Sequence, residues 1–149
     1  MKIVVDTNIV FSAILTPNGK ISDLLLNSDS RFKFYSPQSI LDELERHHNK
    51  LCAISNLHSS EINFLKRIIL KKINIIDLDI ISSENWKKAI ELTNNVDEFD
   101  APFIALSLEL DVPLWTGDKK LVTGLSSLGI DWILNTNDVQ IIRDEYTFD

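Results

Sequence analysis

Residues 2–8, KIVVDTN, restrict the choice of fold more than any other stretch of the chain. Three β-prone residues, Ile3, Val4 and Val5, stop abruptly at Asp6, Thr7 and Asn8. An apolar stretch of different spacing follows, with Ile9, Val10, Phe11, Ala13, Ile14 and Leu15. The short unbroken run suits a strand buried on both faces, and the segment after the acid suits a short helix that is apolar nearly all round. A strand, an acid and a helix in that order form a junction of a parallel α/β sheet, where ligands gather at the carboxyl ends of the strands. Asp6 is therefore expected at a strand tip.

The same alternation recurs downstream. Phe32-Lys33-Phe34-Tyr35, the run from Ile73 to Leu78, Pro113-Leu114-Trp115-Thr116 and the run from Ile130 to Leu134 read as strands, with helical patterns between them. Ser36 as N-cap and Pro37 at the first helical position predict a helix to about Lys50, striped by Ile40, Leu41 and Leu44. Ser59 or Ser60 starts the next, with Lys66, Arg67, Lys71 and Lys72 toward its negative end. Another follows Ser82 or Ser83 and carries Trp86, Ala89 and Ile90. A buried helix with Phe103, Ile104, Leu106, Leu108 and Leu110 follows Asp97. This order predicts one parallel α/β sheet covered on both faces.

The 149 residues suit one domain with a substantial core and a polar, loosely held tail from about Arg143. No apolar run is long enough for a transmembrane helix, and the start of the chain lacks a signal-peptide layout, so a cytoplasmic, membrane-free protein is expected. The single cysteine, Cys52, excludes an internal disulfide and reads as a small hydrophobe. A net charge of −7 argues against a nucleic-acid binder held by a basic surface. It is compatible with action on a polyanion if bound cations face the phosphate and local basic groups hold the flanking backbone.

Asp6, Glu43, Asp97, Asp100 and Asp118 all fall at strand tips or helix starts. Glu43 lies between Ile40 and Leu44, so it faces inward more than Glu45 does, and Asp42 is its weaker rival. Carboxylates gathered without His or Cys are hard oxygen ligands suited to Mg²⁺ or Mn²⁺. Held close together they are costly unless a divalent cation neutralises them. Such a site activates water and stabilises a phosphoryl oxygen, which is the chemistry of phosphodiester hydrolysis. The competing reading of any one acid is a helix cap or a solvated charge, and for Asp97 a cap explains the residue fully. Asp6 and Asp118 resist that reading because each follows an apolar strand.

In these motifs the chain resembles the PIN-domain ribonucleases, in particular the VapC-like single-domain group. The resemblance runs over nearly the whole chain: the DTN segment, SPQSILDELERH, DEFDAPFIALSLEL and TGDKKL. It implies a three-layer α/β/α fold with a mostly five-stranded parallel sheet. It matches Asp6, Glu43, Asp100 and Asp118 to the family's metal-holding acids, with Asn8 and Thr116 as their supports and Asp97 assisting or capping. The implied activity is Mg²⁺- or Mn²⁺-dependent hydrolysis of RNA as the toxin of a type II toxin–antitoxin pair. A cognate antitoxin and a homodimer are the implied protein partners. RNA processing outside a toxin system, or a non-catalytic scaffold for RNA or protein, is the alternative.

Lys119, Lys120 and Arg46, with His47, His48 and Lys50, are candidates to touch substrate phosphates, against solvated surface as the competing reading. A haloacid-dehalogenase-type phosphatase would need an Asp where Asn8 stands, and no phosphate-binding glycine loop follows any strand. His47, His48 and His58 lack metal-ligand spacing with Cys or Glu. Trp86, Trp115 and Trp132 fit the core better than a base-stacking surface.

Overall fold

A computed structural model describes residues 1–145. The elements run β1 (Lys2–Val5), α1 (Thr7–Leu15), α2 (Lys20–Leu26), β2 (Lys33–Pro37), α3 (Ser39–Arg46), α4 (His48–Ser55), α5 (Ser59–Leu70), β3 (Ile73–Ile76), α6 (Ser83–Thr93), α7 (Ala101–Leu110), β4 (Leu114–Trp115), α8 (Lys119–Ser126), β5 (Ile133–Leu134) and α9 (Thr136–Glu145). The five strands pair in parallel in the order β3-β2-β1-β4-β5. Helices α1 to α5 pack among themselves; α6 packs on α7 and α8, and α7 lies against β1, β2 and β4. The expected three-layer α/β/α fold is therefore present. β1 is central, and Ile3, Val4 and Val5 are fully buried, as a strand covered on both faces requires. The order reverses at β1, with β2 on one side and β4 on the other, so its carboxyl end opens at a topological switch point.

Several boundaries differ from the sequence reading for local reasons. Ser36 and Pro37 belong to β2 rather than to a helix start: they pair with Ile75 and Ile76, and the Ser36 hydroxyl donates to the Val5 carbonyl at 2.6 Å. The long helix expected to reach Lys50 breaks at His47, the hinge between α3 and α4. His58, not a serine, caps α5, in a capping box with Glu61. Lys66 is buried rather than free at the helix end; its Nζ donates to the Leu44 carbonyl at 3.2 Å and lies 2.7 Å from His48 Nδ1. Arg143, expected to open the tail, lies within α9 and pairs with Asp23 at 3.0 Å; the rest of that tail, 146–149, falls outside the described residues.

Among the described residues no single helix is long and apolar enough to cross a membrane. The adjacent pair α1 and α2, apolar enough together, meets at 111° and buries its apolar residues in the core.

Gly124 in α8 lets the helix approach the segment before Asp97. A Cβ there would lie 2.6 Å from Val96 Cγ2, on a branched side chain with little room to yield. Gly124→Ala should therefore lower stability by about 1–3 kcal/mol, overpacking outweighing the gain in helix propensity. Thermal unfolding of the two proteins measures it.

Candidate active site at the carboxyl edge of the sheet

Asp6 leaves β1 at its carboxyl end and caps α1, with Thr7 N donating to its Oδ1 at 2.7 Å. Its Oδ2 accepts from the Thr116 hydroxyl at 2.7 Å and from Asn8 Nδ2 at 3.2 Å. The carboxylate is thus held on both oxygens although the residue is only 4 % exposed. Burial pushes its pKa up to about 6, against the lowering effect of the Thr116 and Thr7 hydrogen bonds; Glu43 and Asp118 add repulsion.

Thr116, beyond β4, connects Asp6 to a second acid. Its oxygen donates to Asp6 and accepts from Asn8 Nδ2 at 3.3 Å and from the Asp118 backbone N–H at 3.1 Å. Asn8 completes the clamp by accepting from Gly117 N at 3.1 Å. Asp118 is half-buried, and its Oδ1 caps α8 by accepting from Lys120 N at 3.0 Å and Leu121 N at 3.2 Å. The cap occupies one of its oxygens.

Glu43 arrives from α3, half-buried between the buried Ile40 and Leu44, whereas Asp42 and Glu45 are exposed. The Thr7 hydroxyl donates to its Oε2, which ties it to the DTN segment. Thr7 was not singled out in the sequence. Its signal is a hydroxyl in the first turn after a strand-tip acid, a position usually read as capping chemistry alone.

Asp97 caps a 3-10 turn, Glu98–Asp100, by accepting from Phe99 N at 3.0 Å, so Asp100 sits one residue before α7 rather than inside its first turn. Asp100 makes no capping bond, and its Oδ2 is buried without a hydrogen-bond partner among the described residues. Burial, followed by repulsion from Asp6, Asp97, Asp118 and Glu43, pushes its pKa up to about 8. An unpartnered buried carboxyl oxygen carries a substantial desolvation penalty, and a cation would relieve it.

Asp6, Glu43, Asp97 and Asp100 share an open cleft of about 380 Å³ with Thr7, Asn8, Phe11, Arg46, His47 and Phe99. Asp118 acts on Asp6 and Asp100 electrostatically but does not line that cleft. Lys119 and Lys120 border neighbouring hollows, Lys119 alongside Thr116 and Gly117 and both alongside Val96. Of the basic candidates among the described residues, Arg46 and His47 lie in the carboxylate cleft, the His47 ring edge-on to Phe11 with centroids 5.5 Å apart. Phe11 and Phe99 carry no sequence pattern that separates a cleft wall from a core or surface position. Trp115 is fully buried, its indole N–H donating to Thr136 at 3.1 Å, which makes it core as expected.

The donor set is oxygen-only, which fits a hard divalent cation better than zinc or copper. Among the described residues no three His, Cys, Asp or Glu side chains stand ready to hold a metal ion.

Fold and site together define a parallel α/β domain with clustered acids at the switch point of its sheet. The family model described as the PIN domain matches residues 4–142, and the chain belongs to that family, whose members are in general metal-using nucleases. A chain of the crystal structure of VapBC2 from Rickettsia felis, bound to a DNA fragment from their promoter, superposes with a TM-score of 0.63 at 17% identity. That match covers 91% of this chain and 98% of the other. No curated protein matches the sequence.

Proposed function

We propose that this chain is a divalent-metal-dependent ribonuclease, the toxin of a type II toxin–antitoxin pair. The observation that carries the reading is Asp100: a buried carboxyl oxygen without a partner, repelled by Asp6, Glu43 and Asp118, on an open cleft at the carboxyl edge of the sheet. Asp6, Glu43, Asp100 and Asp118 would hold Mg²⁺ or Mn²⁺. Bound there, such an ion would supply charge to activate a water and offset negative charge on the phosphoryl oxygen. Thr116 and Asn8 orient Asp6, Thr7 orients Glu43, and Asp97 shapes the turn that presents Asp100. Arg46 at the cleft, with Lys119 and Lys120 beside it, holds the flanking phosphates. By the family resemblance, hydrolysis would leave 5′-phosphate and 3′-hydroxyl ends.

The similarity to a VapBC2 chain supports pairing with an antitoxin, and a homodimer is part of the same proposal. A cytoplasmic location and one domain over 1–149 complete it. The test is cleavage of RNA by the purified protein with Mg²⁺ or Mn²⁺, with chelator, and with the metal restored. Loss on chelation and recovery on restoration support the reading. Cleavage that ignores the chelator refutes the metal, and binding without cleavage favours a scaffold.

Thr116 gives a narrower test. Thr116→Val keeps the shape but strips the hydroxyl that joins Asp6, Asn8 and Asp118. It should lower cleavage about 10–100-fold, the usual range for a group that orients metal ligands. Thr116→Ser, which keeps the hydroxyl, should retain most of the activity. Equal loss in both variants would point to packing.

A further inference from the structure

Among the described residues most large apolar side chains left in solvent, such as Ile54, Phe64, Ile80 and Leu128, lie away from the carboxylates. Phe99 alone is both strongly exposed, at 62%, and part of the carboxylate cleft. The Asp97 carboxylate accepts from Phe99 N at 3.0 Å, and the Asp97 carbonyl accepts from Asp100 N at 3.1 Å, so the backbone that carries the ring is held one residue from a candidate metal ligand.

The guanidinium of Arg46 lies over this ring, 5.9 Å from its centroid. Among the described residues Arg46 forms no ion pair with the nearby carboxylates and rests on the aromatic face instead. A solvent-exposed phenylalanine gains nothing from burial, and a cation beside four acids would ordinarily pair with one of them. Both features suit an occupant that carries a flat apolar face and a negative charge a short distance apart. A nucleotide has both.

We infer that Phe99, steadied by Arg46, is the platform on which an unpaired base next to the scissile phosphate stacks. The adjoining phosphate takes the free edge of the guanidinium. The inference rests on the RNA-cleaving reading above and adds to it a positioning residue that chooses among substrates. A base held in a duplex offers no free face to Phe99, so the platform selects unpaired nucleotides. A partner protein could cover Phe99 with an apolar side chain, but that contact would leave Arg46 without a role.

The test measures binding of single-stranded oligo(A) and oligo(U) RNA, with Mg²⁺, to protein carrying Asp6→Asn so that nothing is cleaved. Phe99→Ala and Phe99→Leu added to that background should each weaken binding, by roughly 5- to 100-fold for one lost stacking contact. Phe99→Trp should restore it, and oligo(A) should lose more than oligo(U). Duplex RNA should bind equally to all of them. Arg46→Ala should weaken binding and flatten its salt dependence by about one phosphate contact. In protein with Asp6 intact, Phe99→Ala should raise KM more than it lowers kcat.

Unchanged affinity in Phe99→Ala overturns the platform, and so does full rescue by leucine, which would mark an apolar contact for a protein partner. Parent protein that binds neither RNA overturns it as well. The nuclease reading is judged separately, by whether RNA cleavage is lost on chelation and in Asp6→Asn.

Discussion

Asp100→Asn is expected to cut metal-dependent RNA cleavage severely while making the metal-free protein more stable. The substitution replaces a carboxylate by an amide of nearly the same shape. It removes the charge that burial and four neighbouring acids oppose. Cleavage should fall on the order of 10²–10³-fold, the scale seen when one preorganised electrostatic element is lost from an active site. Stability should move the other way, by an amount that grows from about pH 4 to about pH 8. At about pH 9, above its raised value, wild type carries an uncompensated charge and the variant does not, so the variant melts at the higher temperature. Toward pH 4, where the carboxyl of the unfolded chain is protonated as well, the two melting temperatures should converge. Thermal unfolding at the two pH values, without metal, gives the comparison. A variant that is less stable at both would mean that Asp100 makes a structural bond its unpartnered Oδ2 does not suggest.

Asp6→Asn is a less clean probe of the same repulsion. Both Asp6 oxygens already accept hydrogen bonds, and an amide nitrogen in place of Oδ2 would face the donor Nδ2 of Asn8. Its stability change mixes relief of charge with a lost bond. The two substitutions together separate an acid built into the scaffold from one left waiting for a partner.

How far the sequence foretold this arrangement depends on the range over which each signal acts. The parallel sheet was legible because Ile3, Val4 and Val5 form an unbroken run, and alternation of strand and helix leaves little freedom of topology. The inward set of Glu43 was legible from its place between Ile40 and Leu44. Ser36 and Pro37 were misread because the local cue, a serine followed by proline, is that of a helix start. What decides their state is pairing with β3, 39 residues on, and a hydroxyl bond to β1, 31 residues back. Lys66 is similar. Nothing near it in sequence announces that the Leu44 carbonyl and His48 receive its ammonium group. The link from Thr116 to Asp6 spans 110 residues, and only the family resemblance pointed to it. Phe99 escaped notice because exposure of an aromatic ring is a property of the assembled cleft and leaves no periodic trace.

The acids at the switch point also fix how stability should respond to pH and to metal. Asp6 and Asp100 have folded-state pKa values raised to about 6 and about 8, from an ordinary value of 3.8. Between 3.8 and those values the folded chain binds protons that the unfolded chain has released, so stability without metal falls as pH rises. The decline should begin near pH 4, be steepest to about 6 while both acids hold the extra proton, continue at about half that slope to about 8 and level off above it. This is the reverse of a carboxylate whose pKa is depressed by a salt bridge, which loses stability as pH falls. A divalent cation changes the sign of the local interaction, because it binds the ionised carboxylates and competes with protons for them. Mg²⁺ should therefore stabilise the protein little at pH 5 and strongly at pH 8. At a hundredfold excess over its dissociation constant the gain would be about 2.7 kcal/mol. Melting temperatures across that pH range, with and without Mg²⁺, should diverge as pH rises, and Asp100→Asn should narrow the gap. Parallel curves would mean that the ion binds elsewhere, since only a site whose ligands titrate in this window can couple metal to pH in this way.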